Sequence, residues 1–127
     1  MNQYGFAETQ WEAAKEEGKA VLSGYAKRQQ MLPYSEFVKY IHSIEFAPHD
    51  PRLFHLLGEI STEENATGRG MLSALVVHKR GDLQPGPGFF ELAQQLGHDT
   101  RDILKFWIEE VKRVFVPGID EEGTSTK

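Results

Sequence analysis

The chain contains no cysteine. That removes disulfides, thiolate metal sites and cysteine nucleophiles together, and it fits a reducing compartment. No run of about 18 apolar residues occurs, so no membrane-spanning helix is expected. Met1 to Gln10 is polar and lacks the basic-then-apolar order of a signal peptide. These absences lead to the expectation of a cytoplasmic protein without a membrane partner. There is no internal repeat and no low-complexity run. Serines at 43, 61 and 73 lie outside any Gly-x-Ser-x-Gly or Ser-x-x-Lys spacing. Gly68-Arg69-Gly70 lacks the Gly-Lys-Ser/Thr of a phosphate loop, and the prolines around Gly86-Pro87-Gly88 remove N–H donors.

What is present suits one ordinary core. The 127 residues are 39% hydrophobic, with eight Phe and two Trp, enough for a single domain. We place that domain at 1–118 and read 119–127 as a flexible acidic tail. The net charge of -5 is uneven. Residues 31–68 hold six acids against two bases, a net of -4, whereas 69–88 hold three bases against one acid, a net of +2. An acidic chain repels nucleic acid at long range, so any such binding must come from a local basic patch.

Hydrophobic spacing predicts a helix over Thr9 to Gln29, with Trp11, Ala14, Gly18, Val21 and Tyr25 as its apolar stripe. Gly18 and Gly24 weaken it and could break it. A second helix is expected from Leu32-Pro33, burying Phe37, Val38, Ile41 and Ile44. Asp50-Pro51 is a start signal for a third, with Leu53, Leu57 and Ile60 inward and Phe54 or Leu56 widening the stripe. Ser61 to Gly70 reads as a loop. Met71 to His78 reads as a strand, and Lys79 to Gly88 as a loop stiffened by prolines. A short helix over Phe89 to Leu96 follows. A last helix, capped by Asp99 or Thr100, is expected to end at Pro117-Gly118. The order is helix-rich α+β. Three helices, a strand and a loop are what a winged helix-turn-helix-like domain requires, here with an extra N-terminal helix and a C-terminal helix.

Five stretches carry a resemblance covering about half the chain. They are Pro33-Tyr34-Ser35-Glu36-Phe37, Leu57-Gly58-Glu59-Ile60, Leu72-Ser73-Ala74-Leu75-Val76-Val77, and Gly81 followed by Pro87-Gly88-Phe89-Phe90. Together they resemble a winged-helix module of bacterial hypothetical proteins, some attached to HNH-type nucleases. They are also distantly similar to the DNA-binding domain of O6-alkylguanine-DNA alkyltransferases and alkyltransferase-like proteins. Those carry a strand ending in Val-Val, a Gly-containing turn and a Gly-Phe leading into a helix. If Val76-Val77 matches that Val-Val, the reactive Cys position falls at Ser73, and the neighbouring His and Arg positions at Ala74 and Leu75. All three reactive groups are missing. The resemblance therefore implies a winged-helix shape and argues against alkyl transfer. An unassisted serine hydroxyl is a poor nucleophile.

The remaining candidates are weighed by chemistry. His49, Asp50 and His55 are close in sequence, and His55 and Glu59 share a helix face. No paired i, i+4 histidines occur, so no metal site and no cofactor are expected. Glu63-Glu64 and Glu109-Glu110 are adjacent, hence divergent on a helix, and read as solvated charge. No nucleophile, base and anion hole combine, so no enzyme is expected. The functional signal is basic: Arg52 and His55 on the presumed recognition helix, Arg69 before the strand, and His78, Lys79 and Arg80 after it, at the presumed wing. Glu59 and the Glu63-Glu64 pair oppose a phosphate backbone. The expected function is a non-catalytic nucleic-acid-binding module, a regulator or nuclease accessory, with double-stranded DNA as partner. The alternative is a protein-interaction or oligomerisation module. In that case exposed Trp11, Val21 and Tyr25 would form the seam of a homo-oligomer.

Overall fold

The computed structural model describes residues 2–79 and 84–120, with side chains through Phe115. Helix α1 spans Glu8–Lys27 and is unbroken, despite its two glycines. Its buried line is Trp11, Ala14, Lys15, Gly18, Leu22 and Ala26. Gly18 is there for packing: a Cβ would sit 2.9 Å from Ile60 Cδ1 and 3.1 Å from Phe37 Cζ. Its absence lets the helix lie directly against its neighbours.

Strand β1 is Leu32–Pro33, followed at once by the one-turn helix α2, Tyr34–Phe37, and a 3-10 turn over Val38–Tyr40. The expected second helix is thus short and starts two residues late. Its end is held by Glu17 of α1, whose carboxylate accepts the backbone N–H groups of His42 and Ser43, both at 3.0 Å. Ile41 and Ile44 still reach the core from irregular backbone.

Helix α3 spans Pro51–Ala66. Asp50 caps it, accepting the Arg52 N–H at 2.9 Å, and Pro51 fills the first turn where no N–H is needed. Ser61 to Ala66, expected as loop, continues the helix. Its polar residues have partners that spacing alone does not reveal. Ser61 is buried against Ser73, Glu63 pairs with α1, and buried Glu64 pairs with Arg69. Leu56 widens the inward stripe and is fully buried, whereas Phe54 stays 42% exposed.

The expected strand over Met71 to His78 is mostly not one. Leu72–Leu75 is a 3-10 turn, and only Val76–Val77 forms strand β2. All four residues of the turn are buried rather than alternating. The Met71 N–H donates to Glu110 Oε2 at 2.8 Å, and the Ala74 carbonyl accepts the Trp107 indole N–H at 2.9 Å. Side-chain partners thus take backbone groups a ladder would use. The β-branched pair keeps the extended form, running parallel to β1 with Leu32 opposite Val76 and Pro33 opposite Val77.

Helix α4 is Pro87–Gln95 and α5 is Ile103–Asp120. Asp102, rather than Asp99 or Thr100, accepts a first-turn N–H of α5, from Lys105 at 3.1 Å. Helix α5 runs past Pro117-Gly118, so Ile119 and Asp120, expected in the tail, fall within it, while 121–127 lie outside the described residues. The architecture is helix-rich α+β with one two-stranded parallel sheet. Among the described residues no helix is long and apolar enough to cross a membrane.

Candidate nucleic-acid interface

Helices α3 and α4 flank a cleft of about 710 Å³. The α3 wall presents Phe54, His55, Gly58, Glu59, Thr62 and Glu63, a set spaced by three and four residues that forms one helix face. The α4 wall presents Gly86 to Phe89, then Glu91, Leu92 and Gln95. Leu57 of α3 and Tyr4, Tyr34, Ser73 and His78 complete the lining. Gly86 is tied down by donating its N–H to the Tyr34 hydroxyl at 2.9 Å. Burial pushes the Tyr34 phenol above its ordinary pKa, partly offset by that N–H. The loop before α4 is closed by the His78 N–H donating to the Gln84 carbonyl at 2.9 Å.

Aromatic rings concentrate here. Tyr4 stacks on His55 with centroids 5.0 Å apart, Tyr34 meets Phe54 edge-on at 5.5 Å, and Tyr34 lies 5.4 Å from His78. His55 and His78 themselves are exposed.

The acids of the α3 wall have lost their freedom. Glu59 Oε1 accepts the Trp11 indole N–H at 2.9 Å and the Lys15 ammonium at 3.1 Å. Glu63 takes Lys15 at 2.8 Å and Lys19 at 2.6 Å. Burial alone would lower the Lys15 pKa, but hydrogen bonds to Glu63, Glu59 and Glu12 outweigh it and the net shift is upward. Lys15 and then Lys19 hold the Glu63 carboxyl below its ordinary range. Glu91, on the opposite wall, is exposed and makes no ion pair among the described residues.

The six expected contact residues divide. His55 and His78 come together on the cleft, with Lys79 exposed beside the latter. Arg52 sits one turn before His55, with its guanidinium 4.7 Å from the Phe6 ring centroid. It also pairs with Asp50 at 2.9 Å, which holds that carboxyl below its ordinary range. Arg69 does not join them. It pairs with Glu64 at 2.6 Å beyond the far end of a helix about 24 Å long. Arg80 and Gly81 lie outside the described residues.

The expected oligomer seam is not on the surface as drawn. Trp11 is 1% exposed, covered by Tyr4 at 4.5 Å, Phe6 at 5.9 Å and Phe46 at 6.5 Å. The N-terminal segment supplies Tyr4 and Phe6 of that cover, and these two carried no helical periodicity to announce it. Val21 and Tyr25 are half-buried, and the Tyr25 hydroxyl meets that of Tyr40 at 3.2 Å. Ser73 shares a 2.6 Å hydrogen bond with Ser61 Oγ, which also accepts the Ser73 N–H. Ser73 makes no hydrogen bond to an imidazole among the described residues, and no cluster of three metal-ligating side chains occurs among them.

Tyr4, Tyr34, Phe54 and Glu91 belong to the cleft without having been singled out. Tyr34 stands in one of the resembling stretches without a role, and Phe54 is only one of two residues that could widen the inward stripe of α3. The fold is helix-rich α+β, and comparison with protein-family models, curated proteins and solved structures returned no match.

Proposed function

We propose that this chain is a non-catalytic nucleic-acid-binding module of winged-helix-like design. The observation that carries the reading is the convergence of His55 from α3 and His78 from the segment after β2 on one cleft, with exposed Lys79 following His78 in sequence and Arg52 one turn before His55. The order helix, strand, helix, helix, strand, loop, helix, followed by the C-terminal helix α5, supports it, as does a strand ending at Val76–Val77 and a Pro87-Gly88-Phe89 opening of α4. The objection from charge is weaker in three dimensions than in sequence. Glu59, Glu63 and Glu64 are each paired with Lys15, Lys19 or Arg69, so they repel phosphate less than free carboxylates would. Ser73, at the position the resemblance to alkyltransferases would give the reactive Cys, is engaged with Ser61, in keeping with binding rather than alkyl transfer.

The test is fluorescence anisotropy of labelled single-stranded and duplex DNA at low ionic strength. Binding that weakens with salt, and whose salt slope falls by about 1 in Arg52→Ala or Lys79→Ala, supports the proposal. No binding to either form would remove it.

A protein-interaction role, with another chain or a second copy, has one observation of its own. Ile103, Leu104 and Ile108 on α5 are 48%, 47% and 43% exposed. Light scattering after size exclusion tests the self-association version. A monomer at all concentrations contradicts it.

A further inference from the structure

We infer that the cleft is built for single-stranded rather than duplex nucleic acid, with bases stacking on Phe54 and its aromatic neighbours. This deepens the nucleic-acid reading and rests on it. Free cations are few at the site: Arg52 is already paired with Asp50, Arg69 is held by Glu64, Lys15 and Lys19 are engaged by the cleft-lining Glu59 and Glu63, and exposed Lys79 follows His78 at the rim. Duplex binding draws chiefly on phosphate neutralisation, which scales with the number of such contacts. A surface this poor in free cations gains little from it. Exposed rings, by contrast, are present in Phe54, His55 and His78, with Tyr4 half-buried among them.

Phe54 is 42% exposed on a helix whose other large apolar residues are buried. It is held edge-on against Tyr34 at 83° and lines the cleft. His55 and His78 add two exposed rings, each fixed against a tyrosine at 5.0 and 5.4 Å. Rings immobilised in this way lose little freedom on meeting a base. Stacking on them needs a base face that a duplex keeps covered and a single strand offers. Glu91 on the α4 wall repels phosphate. The strand's backbone therefore runs along the rim made by the first turn of α3 and by His78 and Lys79, with its bases turned inward.

The experiment compares a labelled single strand of about 20 nucleotides with the matching duplex on the full chain, at two salt concentrations, for wild type, Phe54→Ala and Phe54→Trp. Circular dichroism and thermal midpoints are recorded for each variant. Expected are single-strand binding at least about tenfold tighter than duplex, and a loss of about tenfold in Phe54→Ala with Phe54→Trp close to wild type. Duplex binding equal to or tighter than single-strand binding, or folded Phe54→Ala binding as wild type does, would overturn the inference and leave the nucleic-acid reading standing. Absence of binding to both forms would overturn the two together. Should Phe54→Ala fail to fold, the single-strand to duplex ratio of the wild type still decides.

Discussion

Glu110 is a carboxylate of 2% exposure, in the middle of a helix that otherwise presents apolar residues inward. Its Oε2 receives the Met71 N–H at 2.8 Å, and Arg113 approaches its Oε1 at 3.7 Å. Gly70 makes room for it. That residue has a φ of +91°, and a Cβ there would meet Arg113 Cδ, Glu110 Oε2 and Val114 Cγ2 at 3.0 to 3.2 Å. The Glu109-Glu110 pair read as solvated charge, because adjacent residues on a helix look alike until a neighbour claims one of them. Glu110→Ala leaves a buried N–H without an acceptor. It is expected to cost about 1–3 kcal/mol in urea denaturation, with Glu110→Gln losing less because an amide oxygen still accepts. Equal stability of Glu110→Ala and wild type would contradict that role.

Among the elements, the crossing of α1 over α3 shows where periodicity served and where it misled. The spacing of Trp11, Ala14 and Gly18 located the buried side of α1, and Asp50-Pro51 located the start of α3 to the residue. Gly18 looked like a weak point because helix propensity counts only its own backbone. Its use lies in the closeness of Ile60 and Phe37. Gly18→Ala gains about 1 kcal/mol of propensity and loses about 1–3 to overpacking. The expected outcome is net destabilisation of about 1 kcal/mol and a lower thermal midpoint. A raised midpoint would show that the crossing relaxes freely. The 72–75 turn was not legible for a related reason. A run of Leu, Ser, Ala and Leu suits strand and helix alike, and what decides it are Glu110 and Trp107, more than thirty residues away in sequence. The candidate site divides in the same way. The basic residues were visible as charge, whereas the aromatic lining came from an N-terminal segment, from Tyr34, to which the sequence assigns no role, and from Phe54, an alternative to Leu56 for the inward stripe.

Over the whole molecule, the paired carboxylates set the response to pH. Glu63 is held low first by Lys15 and then Lys19. Burial alone would raise Glu17, but the N–H groups of Ser43 and His42 outweigh it and its pKa is lowered. Asp99 is held down to about 2, first by the Arg101 side chain. A group lowered in the folded state contributes stability fully above its unfolded pKa, about 4 for carboxylates, and loses it as pH falls through the folded value. Lys15 and Lys19 are raised, so their contribution is complete below about 10 and fades only above it. The urea midpoint is therefore expected to fall from about pH 4 downward, and to fall less in Lys15→Met, where Glu63 has lost one partner. An acid decline of the same size in both proteins would contradict this.

The functional account stands or falls on where nucleic acid touches the chain. The direct measurement is a map of backbone amide shifts by NMR during titration with a short single strand. The account predicts the largest changes at Arg52 to His55, at His78 and Lys79, and at Gly86, Gly88 and Phe89, with α5 unmoved. Changes centred on Ile103 to Ile108, or none at saturating strand, would contradict it.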